Sequence, residues 1–156
     1  MTMKKWLACS FTCCVTAAMT LAAVPDARAH DSATVVRSGD YSDDVFVNGM
    51  HVTVDGRLSQ DLFVAGDHVE VSGQVEGDVF AIGGGLDLSG AVSGAVLAAG
   101  GHIRLGGDIK DSVVILGVKV DLDAAVEGDV LLTAVHADIN GPIRGDVRAS
   151  GGKITF

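Results

Sequence analysis

Four of the chain's five histidines share one spacing. His51, His68, His102 and His136 stand at multiples of 17 residues, with Gly85 and Lys119 in the two intervening places. Imidazoles on adjacent turns, as His51 and His68 would be, can jointly hold zinc or copper. Duplication of a 17-residue unit explains the column equally well, and the sequence fixes no acidic or cysteine ligand beside it, so no metal is assigned. Carboxylates follow the same period: Asp44, Asp61, Asp78, Asp129 and Asp146 each open a unit. Outward aspartates can bind calcium loosely, but the calcium-binding nonapeptide pattern is absent.

Catalytic chemistry finds little footing. The sequence has no nucleophile elbow, no phosphate loop and no paired carboxylate that repetition fails to explain. The Arg144-Gly145-Asp146 string is the repeat's own glycine-aspartate corner. Catalytic β-helices such as polysaccharide lyases carry long loops to shape a cleft, and constant spacing leaves no room for one here. Ice binding wants a flat threonine ladder, whereas the outward column from Thr53 reads Glu70, Asp87, Arg104, Asp121, Asp138, Thr155. The expectation is a non-enzyme with no cofactor.

What would position these side chains is a repeat without insertion or deletion. Asp44, Asp61, Asp78, Ala95, Ser112, Asp129 and Asp146 open six complete 17-residue units and an 11-residue partial one. Within each unit the same places are apolar. One alternating pair is Val45 with Val47, repeated down to Val147 with Ala149; a second is Val52 with Val54, down to Ile154 with Phe156. Leu58, Val75, Val92, Ile109, Val126 and Ile143 form a fifth column, and all 34 places in the five columns are apolar. Period-two alternation of β-branched residues, broken by glycine, predicts short half-buried strands, three per unit.

Glycine marks the corners at Gly49, Gly56 and Gly77 and their repeats, with Ala134, Ala124, Gln60 and Asp111 as departures. Glycine tolerates left-handed backbone and close stacking. A fixed period of this size means stacked units. The fold expected is an all-β, single-stranded, three-sided parallel β-helix of about six and a half turns, 17 residues each. At about 4.8 Å per strand the rod is roughly 30 Å long. Left-handed hexapeptide helices use multiples of six per turn, so a right-handed coil is expected.

One outward column is apolar: Phe46, Phe63, Phe80, Leu97, Val114 and Leu131 each lie between two inward residues. Stacked, they form a ridge larger than a soluble monomer usually exposes, unless the strand bends and folds the ridge into the core. With Phe156, the only aromatic in the inward columns of the repeat from Asp44 onward, they are the residues expected to carry self-association. Phe156 can plug the last turn or leave an edge for a partner. A terminal Phe also occurs in outer-membrane barrels, but the 17-residue glycine register argues against one.

Residues 1–29 have the layout of a signal peptide. Lys4 and Lys5 supply the charged start, Leu7 to Val24 the apolar run and Ala27-Arg28-Ala29 the small-x-small site, so cleavage is expected between Ala29 and His30. The alternative, a signal anchor, is disfavoured because Cys, Ser and Thr interrupt a run short for a membrane span. Cys9, Cys13 and Cys14 all lie in this leader, so the mature chain has no thiol chemistry and no transmembrane segment is expected in it. Its 8 Lys and Arg against 19 Asp and Glu leave a formal charge of −11, which opposes binding to nucleic acid and anionic lipid. Residues 30–43 are expected to form a degenerate N-terminal cap on the domain 44–156. Val35, Gly39 and Tyr41 keep the register, and Arg37 falls in an apolar place.

Strings such as Val75-Glu76-Gly77-Asp78-Val79-Phe80-Ala81 and Val126-Glu127-Gly128-Asp129-Val130 resemble the bactofilins, polymer-forming bacterial cytoskeletal proteins, over roughly Val45 to Phe156. The resemblance implies a right-handed three-sided β-helix that polymerises end to end without nucleotide. The export signal and short flanks depart from that family's cytoplasmic pattern and suggest an exported relative. The expected function is a structural or scaffolding solenoid of the bacterial envelope, periplasmic or secreted, forming homo-oligomers or polymers. The alternative is an exported binding module for cell-wall or other polysaccharide, or for a metal ion.

Overall fold

A computed structural model describes residues 34–156. The expected leader, its cleavage site and His30 lie outside them. The described chain is all-β, its strands stacked in parallel as a solenoid of about seven turns with about 17 residues per turn. The strands are β1 (Thr34–Arg37), β2 (Asp40–Tyr41), β3 (Val45–Val54), β4 (Arg57–Leu58), β5 (Leu62–Val71), β6 (Gln74–Val75), β7 (Val79–Leu88), β8 (Val96–Leu105), β9 (Val113–Leu122), β10 (Val130–Ile139) and β11 (Val147–Thr155).

The expectation of three short strands per unit needs one revision. The two alternating pairs of each unit belong to one ten-residue strand that turns the corner without breaking its ladder. The corner glycines pair with one another, Gly49 with Gly66 and Gly66 with Gly83, so the hydrogen-bonded stack carries round the bend. The third side is short. It holds β2, β4 and β6 and then single bridges at Val92, Ile109, Val126 and Ile143.

The register advances by one unit at every step: Val45 pairs with Leu62, Leu62 with Val79, Val79 with Val96, Val96 with Val113, Val113 with Val130 and Val130 with Val147. Inward columns therefore lie on themselves and make one continuous core from Val45 to Ile139, with no buried polar or charged residue among those described. The leading residues follow the same register: Val35 pairs with Val52, Arg37 with Val54 and Tyr41 with Leu58. Val35 and Tyr41 pack partly against the core, while Arg37 is exposed.

Close approach decides the glycine corners. Among the described glycines only Gly39 has positive φ, at 121°. At Gly56, Gly73, Gly90 and Gly107 a Cβ would overlap the carbonyl of the turn before, so these positions are glycine because backbone stacks on backbone. One methyl is accommodated in this column, at the buried Ala124.

The Gly-Asp step has a hydrogen-bonding cause. Asp61 Oδ1 accepts from the amide of Asp78 at 2.9 Å, Asp78 Oδ1 from Ala95 at 2.8 Å and Asp129 Oδ1 from Asp146 at 2.9 Å. Each carboxylate reaches across the place where the next turn has Gly77, Gly94 or Gly145, and a Cβ there would collide with it. Two departures from the repeat are thereby coupled. Ala95 has no acceptor to offer, and in the next turn Asp111 replaces glycine and takes the Ser112 amide itself at 2.7 Å. Asp78→Ala is expected to cost about 1 kcal/mol by stranding the Ala95 amide, with Asp78→Asn milder because its amide oxygen still accepts. Thermal unfolding followed by circular dichroism checks this, and an unchanged Tm for Asp78→Ala would show that the ladder contributes nothing.

Candidate functional site

The first segment of each long strand points two residues per turn into solvent. The first of these is the apolar column anticipated from the sequence, and in the fold Phe46, Phe63, Phe80, Leu97, Val114 and Leu131 pair in unbroken succession. The column stays outside the core: Phe46 is 69% exposed, Leu97 46% and Leu131 50%. The rings of Phe46 and Phe63 stack at 4.6 Å and 6°, and those of Phe63 and Phe80 at 4.8 Å and 2°. Parallel stacking at strand spacing covers both faces of Phe63 and one face each of Phe46 and Phe80.

That orientation limits what the ridge can bind. A sugar ring packs on an exposed aromatic face, and here the faces of Phe63 are both taken by its neighbours. What remains is a rigid apolar strip suited to another apolar surface.

A second apolar column escaped the sequence reading. Two residues further along each strand lie Asn48, Ala65, Ile82, Ala99, Leu116, Thr133 and Ser150; Ile82 is 64% exposed and Leu116 60%. Its mixed composition hid it, because large residues alternate with small ones. Met50 and Val118, just past corner glycines, and Val135, just past Ala134 in the same column, are exposed as well. Phe156 stands apart from this face. It follows β11, the last strand of the sheet, and is 78% exposed, so it does not plug the turn; on the same strand Val147 is 36% exposed and Ile154 is only partly covered. Compared with known protein families, curated proteins and solved structures, this chain matches none.

The histidine column lies on the second strand segment. His51 and His68 sit 5.2 Å apart, ring centre to ring centre, tilted by 44°. No set of three His, Cys, Asp or Glu side chains among the described residues gathers closely enough to hold a metal ion. Gly85 leaves a notch in the column, and a groove of about 480 Å3 opens there between His51, His68, Glu70, Asp87, His102 and Arg104. Asp121, outward as expected, is more engaged than the sequence suggested. His102 Nε2 lies 3.1 Å and Lys119 Nζ 3.4 Å from its Oδ2. Burial works to raise the pKa of this carboxyl, but the hydrogen bonds and charges of His102 and Lys119 outweigh it and hold the group below its ordinary value. No helix among the described residues is long and apolar enough to cross a membrane.

Proposed function

We propose that this chain is a non-enzymatic structural rod, an exported bactofilin-like scaffold of the bacterial envelope, that works by self-association. The observation that carries the reading is the apolar strip on the outer face of the first strand segment, with its three stacked phenylalanines. Burying a phenylalanine is worth about 2 kcal/mol before association costs are subtracted, so an unpartnered strip of this kind favours contact with a like surface. The strand edge at β11 offers a second route, since its outer side has no strand partner among the described residues and its core residues are partly open.

Two variants separate the routes. Phe63→Glu with Phe80→Glu is expected to abolish lateral pairing, and Phe156→Asp to block end-to-end growth. Negative-stain electron microscopy and light scattering of the wild type and both variants read the difference; identical particle sizes in all three would remove the reading. Export rests on the leader at residues 1–29. N-terminal sequencing of the periplasmic or secreted protein is expected to begin at His30, and an intact Met1 would contradict it.

The groove at Gly85 supports a second reading, an exported binding module for polysaccharide; a metal ion, the other ligand expected from the sequence, would have to bind there through fewer than three of its side chains. Histidine, carboxylate and guanidinium groups line it. Equilibrium dialysis against zinc and pull-down on insoluble polysaccharide test it; no retention in either assay would dismiss it.

A further inference from the structure

The two outward columns of the apolar face have a symmetry that the repeat does not require. In the first, three phenylalanines are followed by Leu97, Val114 and Leu131, so the bulkier half of the column is followed by a less bulky one. In the second, small Ala65 and large Ile82 are followed by small Ala99 and large Leu116. Reversed end for end about the midpoint between the β7 and β8 turns, each column becomes its own complement. Phe46 meets Leu131, Phe63 meets Val114 and Phe80 meets Leu97. In the neighbouring column Ala65 meets Leu116, Ile82 meets Ala99, and the polar pair Asn48 and Thr133 meet at the rim.

We propose that the occupant of this face is a second copy of the same chain, packed face to face and antiparallel, with a two-fold axis along the strand direction between Phe80 and Leu97. This deepens the self-association reading and rests on it. The axis matters because a two-fold interface must be self-complementary. The other two-fold, along the rod, places the first column of each turn against the second column of the same turn. Ile82 then collides with Phe80 while Ala99 leaves a gap under Leu97, so thickness changes from turn to turn.

Charge points to the same arrangement. Arg148 continues the first column one turn past Leu131, while Asp43 and Asp44 precede β3 at the opposite end, and all three are exposed. Antiparallel pairing brings Arg148 of each copy toward the acidic start of the other's β3. Pairing along the rod sets both Arg148 side chains on one level, where like charges repel. Six turns at about 4.8 Å and two columns give a strip roughly 30 Å by 10 Å. Such an area lies at or below the low end of stable interfaces, so the pair is weak and reversible.

Cross-linking between two single-cysteine chains tests the geometry, in a background where Cys9, Cys13 and Cys14 are serine. Packed sheets lie about 10 Å apart, beyond the reach of about 7 Å of a disulfide, so a short bis-maleimide is the probe. One chain in each mixture carries a tag so that the mixed product has its own mass. Ala65→Cys mixed with Leu116→Cys reports the antiparallel pair; Val114→Cys mixed with Leu116→Cys reports the parallel one, and each partner lies three turns out of reach in the other arrangement. At about 50 µM protein the first mixture is expected to give mixed product at least roughly ten-fold faster, because paired thiols meet at millimolar effective concentration. Faster product from the second mixture overturns the antiparallel assignment and leaves self-association standing. Slow reaction in both, with dimers or longer species in sedimentation, shows that this face is not the interface. Slow reaction in both with only monomer removes the inference and the proposed function together.

Discussion

Val120→Asp is expected to destabilise the solenoid by about 4 kcal/mol or more, enough to unfold much of the population at ambient temperature. Val120 is 0% exposed and lies in an inward column between Ile103 and Ala137. A carboxylate there has no hydrogen-bond donor facing it, since every column that reaches the core is apolar. The neighbouring Asp121→Asn is the control. It weakens the contacts from His102 and Lys119 but keeps an oxygen acceptor on a hydrated face, so a loss of about 0.5 kcal/mol is expected. Melting by circular dichroism compares the two directly, and equal Tm values would mean that the inward and outward assignments are wrong.

Gly90→Val is expected to have an effect of similar size by another cause. Gly90 stacks between Gly73 and Gly107, and any Cβ on it would overlap the carbonyl of Gly73. A branched side chain forces the turn off its neighbour and breaks ladder bonds such as Ser89 to Val71 and Gly106 to Leu88, both at 2.9 Å. The loss should be several kcal/mol. By contrast, Gly106→Ala, where nothing lies within 4 Å of an added Cβ, should leave Tm within a few degrees of wild type. A Gly90→Val protein that melts with the wild type would show that the turns are not in close backbone contact.

Period and polarity made most of the fold legible. A 17-residue unit with no insertions leaves one way to bury Val45, Val52 and Leu58 and their repeats, so columns, register and the leading turn could be written down from the sequence. The continuity of each long strand through its corner could not, because glycine marks a bend without saying whether the ladder survives it. The link between the departures at Ala95 and Asp111 was not legible either, because it lies in a hydrogen bond, the Ser112 amide donating to Asp111 Oδ1, that spacing does not encode.

The candidate site was half legible. The column from Phe46 to Leu131 is apolar in every unit and stands out at once. Its neighbour, with Ala65, Ile82, Ala99 and Leu116, does not, because apolar size varies and Asn48 and Thr133 interrupt it. Ring orientation at Phe63 needed coordinates as well. Alternation says that a side chain points outward, but only the 4.6 Å and 4.8 Å stacking distances say which part of the ring is left for a partner.

Sedimentation velocity of the wild-type protein across roughly 1 to 500 µM, a range spanning weak association, tests self-association most directly. The expected record is a sedimentation coefficient that rises with concentration, and does not rise for the chain carrying Phe63→Glu and Phe80→Glu when the face is the contact. A single monomeric species across the whole range would contradict the account.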